Sequence, residues 1–532
     1  MNGVKNSVEY KTGSALVVDA LESLGLDKIF GYPGASVLSL YNELADKENM
    51  FHCLCRHEQA CVHAAEGYAR ISGKTGVVLV TSGPGATNTV TGIADAYADC
   101  TPLLVIAGAP NEAEGKVFQN VDFVSMVKNS VKQVFQPSIE DNIYDIVRLA
   151  VKTANSGKKG PVVLQLNRAV LEKVYSLGNL NMLPEETCVD KVPSCEETLG
   201  LASLLSKASR PLFLVGGGAS DSFDKISALA STLEIATVST LMGVGNVSSV
   251  LPQYKGMIGV NGLDEANNTL FKSDLIVAFG VAFSDRTTCK SEMFANGIPV
   301  VNVNLEKYSF ENVNVVLELN YDCSCVLEEL LKVYDNKVIT NHKTKKFDSL
   351  STNMGTREVL DCINEYTRDF SPIIITDVGQ HQMFTAQKFD FTKPKRFLTS
   401  GGLGTMGFGL PASCGAHFAD PESCIINITG DGSFQMNIQE LATVREYQIP
   451  VKIFVMNNGY LGMIRQTQEK LYGGKYYQSK MNNPDFITLA KGYDIQGFRV
   501  TSLKQLQEVL PEIFNTNKPI IVDCIINELE TV

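Results

Sequence analysis

A chain of 532 residues is too long for one ordinary hydrophobic core, so about two to four domains are expected. With 44% hydrophobic and 20% charged residues the composition is that of a globular protein, and a net charge of −12 leaves no electrostatic footprint for nucleic acid or an anionic membrane surface. Residues 1–11 lack the apolar run of a signal peptide, no apolar run could span a bilayer, and thirteen Cys without a Cys-x-x-Cys pair indicate neither a zinc site nor a disulfide framework, so a soluble cytoplasmic protein is expected.

Short apolar, β-branched runs alternate with amphipathic helical stretches along the chain. The first third carries a turn at Tyr32-Pro33-Gly34, the segment Cys55-Arg56-His57-Glu58-Gln59 ahead of a helix over 60–70, a strand over 76–81 running into the Gly-rich segment 81–88, and a strand over 161–166. A polar stretch over 176–197 follows. The middle third has strands over 211–215 and 274–279, each followed by glycine (Gly216-Gly217-Gly218 and Gly280), with further glycine-bearing segments at 239–245 and 256–262. After a second polar stretch over 341–356 come strands over 372–376, 424–429 and 451–456. This alternation predicts parallel sheets covered by helices, in three α/β domains spanning 1–180, 190–340 and 355–532.

The densest chemistry lies in the last of these. The strand 424–429 leads into Gly430-Asp431-Gly432-Ser433, a helix is expected over about 435–447, and the strand 451–456 ends in Asn457-Asn458-Gly459-Tyr460. Open α/β sheets place ligands at the carboxyl ends of their strands, and adjacent strands would bring Asp431 and Asn458 together as hard oxygen ligands suited to magnesium and a phosphate. Glycines beside Asp431 would let a phosphate approach the backbone. Taken singly, Gly-Asp-Gly reads rather as a strand-to-helix turn and Glu58 rather as a first-turn charge on a helix dipole, while the triple glycine after 215 is equally a tight turn.

The segments 376–383, 398–411, 430–443 and 460–466, together with Gly430-Asp431-Gly432 and Asn457-Asn458, resemble the thiamine-diphosphate enzymes, and within them the catalytic subunit of acetohydroxyacid synthase, also called acetolactate synthase. The resemblance covers nearly the whole chain and implies three doubly wound parallel-sheet domains. It implies that Asp431, Asn458 and the backbone of Tyr460 hold magnesium. Val378, Gly379, Gln380, His381, Gly404, Gly432, Ser433, Leu461, Gly462 and Met463 would contact thiamine diphosphate, with Met406 as the apolar wedge that bends it. Tyr32, Pro33 and Gly34 would complete the cofactor site from the N-terminal domain, where Glu58 faces nitrogen N1′ of the aminopyrimidine ring. A carboxylate there favours the tautomer that can take the weakly acidic proton from the cofactor's C2. The central domain resembles an FAD-binding one through Gly216, Gly217, Gly218, Thr240, Leu241, Gly280 and Asp285, although Ala282, Ser284, Asn261 and Asn304 depart from the family's usual residues.

The resemblance further implies decarboxylation of pyruvate and transfer of its two-carbon unit to a second 2-keto acid. Arg286 matches the arginine that grips the acceptor carboxylate, and Phe118 and Lys132 match other pocket positions. The pocket departs from the family where a tryptophan is replaced by Thr467, a methionine by Val260 and a glutamine by Ala109, with a shorter loop over 110–117, and the chain has no Trp at all. These changes enlarge or reshape the acceptor cavity and argue against a strong preference for 2-ketobutyrate. A nucleotide-linked keto sugar is the alternative acceptor, and a non-catalytic paralogue the reading outside enzymes. The family assembles as a homodimer or homotetramer, with the pyrimidine unit of one chain meeting the diphosphate unit of another, and can carry a regulatory small subunit.

Overall fold

The computed structural model describes residues 10–110, 118–176, 191–289, 293–307, 311–334 and 354–532. Both expected domain junctions and nearly all of the 110–117 loop lie outside the described residues. Twenty strands are described. In chain order they are β1 (Tyr10–Thr12), β2 (Lys28–Tyr32), β3 (Phe51–Leu54), β4 (Gly76–Val80), β5 (Leu103–Ala109), β6 (Gln133–Phe135), β7 (Val162–Asn167) and β8 (Val174–Ser176); β9 (Pro211–Val215), β10 (Ala236–Ser239), β11 (Tyr254–Met257), β12 (Leu275–Phe279), β13 (Val300–Val303) and β14 (Val315–Leu319); then β15 (Ile373–Thr376), β16 (Phe397–Leu398), β17 (Ile425–Gly430), β18 (Lys452–Asn457), β19 (Gln496–Val500) and β20 (Ile520–Ile525).

They form three six-stranded sheets, ordered β3-β2-β4-β5-β7-β6, β11-β10-β9-β12-β13-β14 and β16-β15-β17-β18-β20-β19, plus an antiparallel β1-β8 pair. Every neighbouring pair within the three large sheets is parallel. The first and third sheets share one order, 2-1-3-4-6-5 when each sheet's strands are counted along the chain; the second has the order 3-2-1-4-5-6. Each of the three has a point where the winding reverses, between β2 and β4, between β9 and β12, and between β15 and β17. Ligand crevices of open parallel sheets lie there, at the carboxyl ends.

The strands were legible because both faces of each sheet are covered. In the first sheet Ile29, Val77, Leu79, Leu104 and Ile106 enter one core while Phe30, Val78, Val80, Val105 and Ala107 enter the opposite one. Side chains alternate between faces, so two buried faces demand continuous apolar runs.

By its contacts the chain divides into two compact units. One comprises Met1–Thr187, Gly402–Glu422 and Gln435–Ile449 and carries the first sheet; the other comprises Cys188–Gly401, Ser423–Phe434 and Pro450–Val532 and carries the other two. Within the first unit the helix Glu58–Ser72 lies directly against the helix Gly409–Ala419. A Cβ on Gly67 would stand 2.1 Å from the Ala412 carbonyl oxygen and one on Gly415 1.7 Å from that of Ala64, so this backbone approach excludes any side chain at either position.

The single helix expected over 435–447 is instead three pieces. A helix Asp431–Met436 starts at Asp431 itself, a 3₁₀ turn occupies Ile438–Glu440, and Leu441–Glu446 completes it. The break falls at Asn437, whose amide donates to the Gly407 carbonyl at 2.7 Å in place of continuing the helix.

Candidate active site

The loops after β15 and β17 meet at the reversal point of the third sheet. Thr429 at the end of β17 donates its hydroxyl to Asp377 Oδ2 at 2.9 Å, and Ser433 donates to the Val378 carbonyl at 3.0 Å, binding the two loops together. Asp431 is 2% exposed, and burial pushes its carboxyl up to about 6 despite hydrogen bonds that favour the charged form. Its Oδ1 accepts from the Gly432 N–H at 3.0 Å, and its Oδ2 accepts from the Gly459 N–H at 2.8 Å and from Asn483 Nδ2 at 2.7 Å. The loop after β18 is therefore drawn onto Asp431, as the pairing of Gly430 with Met456 requires. Asn458 Oδ1 accepts from the Tyr460 N–H at 2.9 Å, which fixes the turn carrying both.

Asn483 went unnoticed in the sequence. It bridges Asp431 and Asn457, donating to Asn457 Oδ1 at 3.0 Å, and is delivered by a return segment in which Leu461 donates to Ser479 and Met481 to Gly459, each at 2.8 Å. Only an Asn-Asn pair ahead of Pro484 hinted at a turn there.

His381 is buried, which pulls its imidazole down to about 4 and leaves it neutral at pH 7, and its Nε2 has no hydrogen-bond partner. The Gly379 and Gly430 Cα atoms crowd its ring: a Cβ on either would come within 3.0 Å of the imidazole. Gln380 is already engaged, donating through Nε2 to Gln466 Oε1 and to the Glu530 carbonyl, both at 2.9 Å. Leu461 caps the helix Gly462–Tyr472, on which Met463 accepts at its carbonyl from Thr467 Oγ1 at 2.9 Å. A buried carboxylate, an orphaned neutral imidazole nitrogen and glycine-lined backbone fit a magnesium diphosphate. Gly404 and Met406 lie in the 402–422 segment of the first unit, Gly404 exposed at φ +80° and Met406 half-buried.

The first sheet repeats this plan at its own reversal point. Gly34 sits against the Thr81 side chain, Ser36 Oγ pairs with Thr81 Oγ1 at 2.9 Å and accepts from the Ser82 N–H at 3.0 Å, and Tyr32 ends β2 with Pro33 directly after it. Glu58 is the first residue of its helix, and His57 caps that helix by accepting the Gln59 N–H on Nδ1 at 3.1 Å. The half-buried Glu58 side chain faces Gly85, and Asn88 Nδ2 donates to its Oε2 at 2.9 Å. Asn88 and Gln119, whose amide oxygen lies 3.5 Å from Ser82 Oγ, are further lining groups not singled out in the sequence.

Phe118 is 85% exposed, and the Lys132 ammonium donates to the Ser156 carbonyl at the end of the helix Ile143–Asn155, where a cation suits the helix dipole. Arg286 is exposed on the short helix Asp285–Thr288, and its carbonyl accepts from the Val260 N–H at 3.1 Å, so these two expected acceptor-pocket positions are neighbours. In the central sheet Gly216, Gly218 and Gly280 meet backbone to backbone: Gly218 donates to the Gly280 carbonyl at 3.0 Å, and Gly280, at φ +61°, would place a Cβ 2.5 Å from the Gly218 carbonyl carbon. Gly217 faces Met242, while Thr240 Oγ1 accepts from the Gly243 N–H at 3.2 Å ahead of Leu241.

Comparison with known proteins places this architecture. Three family models match: the thiamine pyrophosphate enzyme N-terminal binding domain over residues 11–133, the central domain over 200–330 and the C-terminal binding domain over 377–524. The chain is 36% identical to the acetolactate synthase large subunit of Haemophilus influenzae over 98% of its own length and 95% of the relative's. It is 35% identical to the acetolactate synthase isozyme 3 large subunit of Escherichia coli over 99% and 96%, and 36% identical to the large subunit of Lactococcus lactis over 98% and 93%. The fold is that of a thiamine-diphosphate enzyme. Within that class the chain belongs to the acetolactate synthase large-subunit family.

Proposed function

We propose that the protein condenses two molecules of pyruvate into acetolactate with release of carbon dioxide. The observation that carries this reading is the pair of like-wound sheets, each with its candidate groups at the reversal point: Glu58 with Asn88 in one, Asp431 with His381 and Asn458 in the other. Thiamine diphosphate, when bound, supplies the electron sink that lets a 2-keto acid lose carbon dioxide and hold its two-carbon unit. Asp431, Asn458 and the Tyr460 carbonyl would hold magnesium, and His381 and Ser433 would hold the diphosphate. Glu58 would share a proton with the pyrimidine ring through the oxygen not taken by Asn88.

Arg286, exposed beside Val260, suits the carboxylate of a keto-acid acceptor. The likeness to the relatives favours acetolactate over the keto-sugar alternative. Thr467 lies exposed on the helix Gly462–Tyr472, where the resemblance expects tryptophan. In competition assays with pyruvate and 2-ketobutyrate the protein is expected to favour neither acceptor by more than about tenfold, the low end of what one methylene is worth, since Thr467 offers no ring to pack against the extra methylene. Thr467→Trp should raise the 2-ketobutyrate share; a strong 2-ketobutyrate preference in the unaltered protein would contradict the role given to this position.

Magnesium, flavin and assembly complete the proposal. The central sheet has the dinucleotide-binding strand order, with Gly216–Gly218 and Gly280 at its reversal point, which supports FAD there. Purified protein is then expected to be yellow, with the absorbance of oxidised isoalloxazine; a colourless, fully active preparation counts against flavin. The relatives' name, large subunit, supports a regulatory small subunit, and the cofactor site shared between chains that the resemblance implies supports a homodimer. Among the described residues no helix is long and apolar enough to cross a membrane.

A further inference from the structure

Glu440 lies in the 435–449 segment, with its side chain fully buried inside the first unit. Its Oε1 accepts the backbone N–H of Arg56 at 2.9 Å, and its Oε2 accepts from Thr443 Oγ1 at 2.7 Å. The same segment holds the preceding residues as well. Tyr447 accepts the Leu54 N–H on its hydroxyl at 2.8 Å, Glu446 pairs with the Arg56 guanidinium, and a second guanidinium nitrogen of Arg56 donates to the Leu54 carbonyl. Arg56 stands two residues before Glu58, with only His57, the cap of the Glu58 helix, between them. Neither partner segment announces this in the sequence, where they are separated by more than 380 positions.

We propose that Glu440 is a positioning residue: by gripping the Arg56 amide it sets the start of the Glu58 helix and thereby the reach of the Glu58 carboxylate. This rests on the reading of Glu58 as the group that polarises the cofactor. Burial first, and then the neighbouring Cys55, pushes the Glu440 carboxyl up to about 8. In the neutral form that burial favours, Oε1 still accepts from Arg56, while Oε2 would donate to Thr443 in place of accepting from it, the Thr443 hydroxyl turning to the Leu54 carbonyl 3.5 Å away. A glutamine reproduces that pattern; an alanine removes it and leaves the Arg56 amide unsatisfied in the interior.

The test compares Glu440→Ala, Glu440→Gln and Glu58→Gln in two ways: steady-state kinetics on pyruvate, and amide hydrogen exchange over residues 54–58 in the cofactor-free protein. Glu440→Ala is expected to lose amide protection there and to lower kcat on the order of tenfold to a hundredfold, with KM for pyruvate changed less than about threefold, the signature of a displaced catalytic group. Glu440→Gln should keep the protection and stay within about threefold of the parent kcat at pH 7. Should the alanine variant not fold, Tyr447→Phe, which frees the Leu54 amide, should lower kcat and protection in the same direction. Parent-like kcat and protection in Glu440→Ala or, in its absence, in Tyr447→Phe would overturn the proposal, as would a Glu440→Gln variant as impaired as the alanine one. If Glu58→Gln alone is harmless, the proposed function fails; if Glu58→Gln is inactive and the Glu440 variants are unaffected, only the positioning role fails.

Discussion

Glu58→Gln is expected to cut the turnover of pyruvate by about a hundredfold to ten-thousandfold, the range that a single positioned general acid–base group contributes. Glutamine keeps the Asn88 contact, in which Glu58 Oε2 accepts from Nδ2, and it keeps the volume beside Gly85. What it would lose, on the proposed role of Glu58, is the charge that would favour a protonated ring nitrogen. The loss should therefore fall on kcat, with binding of thiamine diphosphate changed little, and steady-state kinetics paired with calorimetric titration separates the two. A variant that turns over at the parent rate would remove Glu58 from the chemistry.

Asp431→Ala is expected to lower the apparent affinity for magnesium, and with it the retention of thiamine diphosphate, by at least about a hundredfold. The carboxylate also organises the loops around it. It accepts from two backbone N–H groups and from Asn483, so alanine also releases the 459–462 turn and strands the Asn483 amide. Asn483→Leu should act on the same binding step with a smaller loss, roughly tenfold, because it orients the ligand and does not replace it. Titration of the magnesium requirement reads both. An Asp431→Ala protein with an unchanged requirement would place the metal elsewhere.

The comparison of sequence and structure has a physical pattern. Strands β4, β7, β9, β12, β15, β17 and β18 were each expected within a residue or so of where they lie, because a parallel sheet with both faces covered needs an unbroken apolar run. Asp431 and Asn458 were legible for the same reason: a loop that directly follows a strand is placed by that strand's register, and β17 pairs with β18. Asn483 and Glu440 were not legible, since each acts on a residue that only tertiary folding brings near, Asn483 on Asp431 and Glu440 on Arg56. Asn437 broke the helix expected over 435–447 through a bond to Gly407, a partner thirty residues away. Lys132, expected at the acceptor pocket, donates its ammonium to a carbonyl at a helix end, a local contact that its sequence position did not announce.

The glycines of the central sheet carry the plainest lesson about motifs. Gly216, Gly218 and Gly280 have a sufficient reason to be glycine in the contact between the turns after β9 and β12, whatever binds there. Their position at the reversal point, and not their number, is what supports a dinucleotide.

The central claim is tested most directly by supplying the purified protein with pyruvate, thiamine diphosphate and magnesium and quantifying both products. The account predicts one acetolactate and one carbon dioxide for every two pyruvates consumed, with no turnover when thiamine diphosphate is withheld from cofactor-free protein. Pyruvate left unconsumed, or carbon dioxide released with acetaldehyde and no acetolactate, would contradict it.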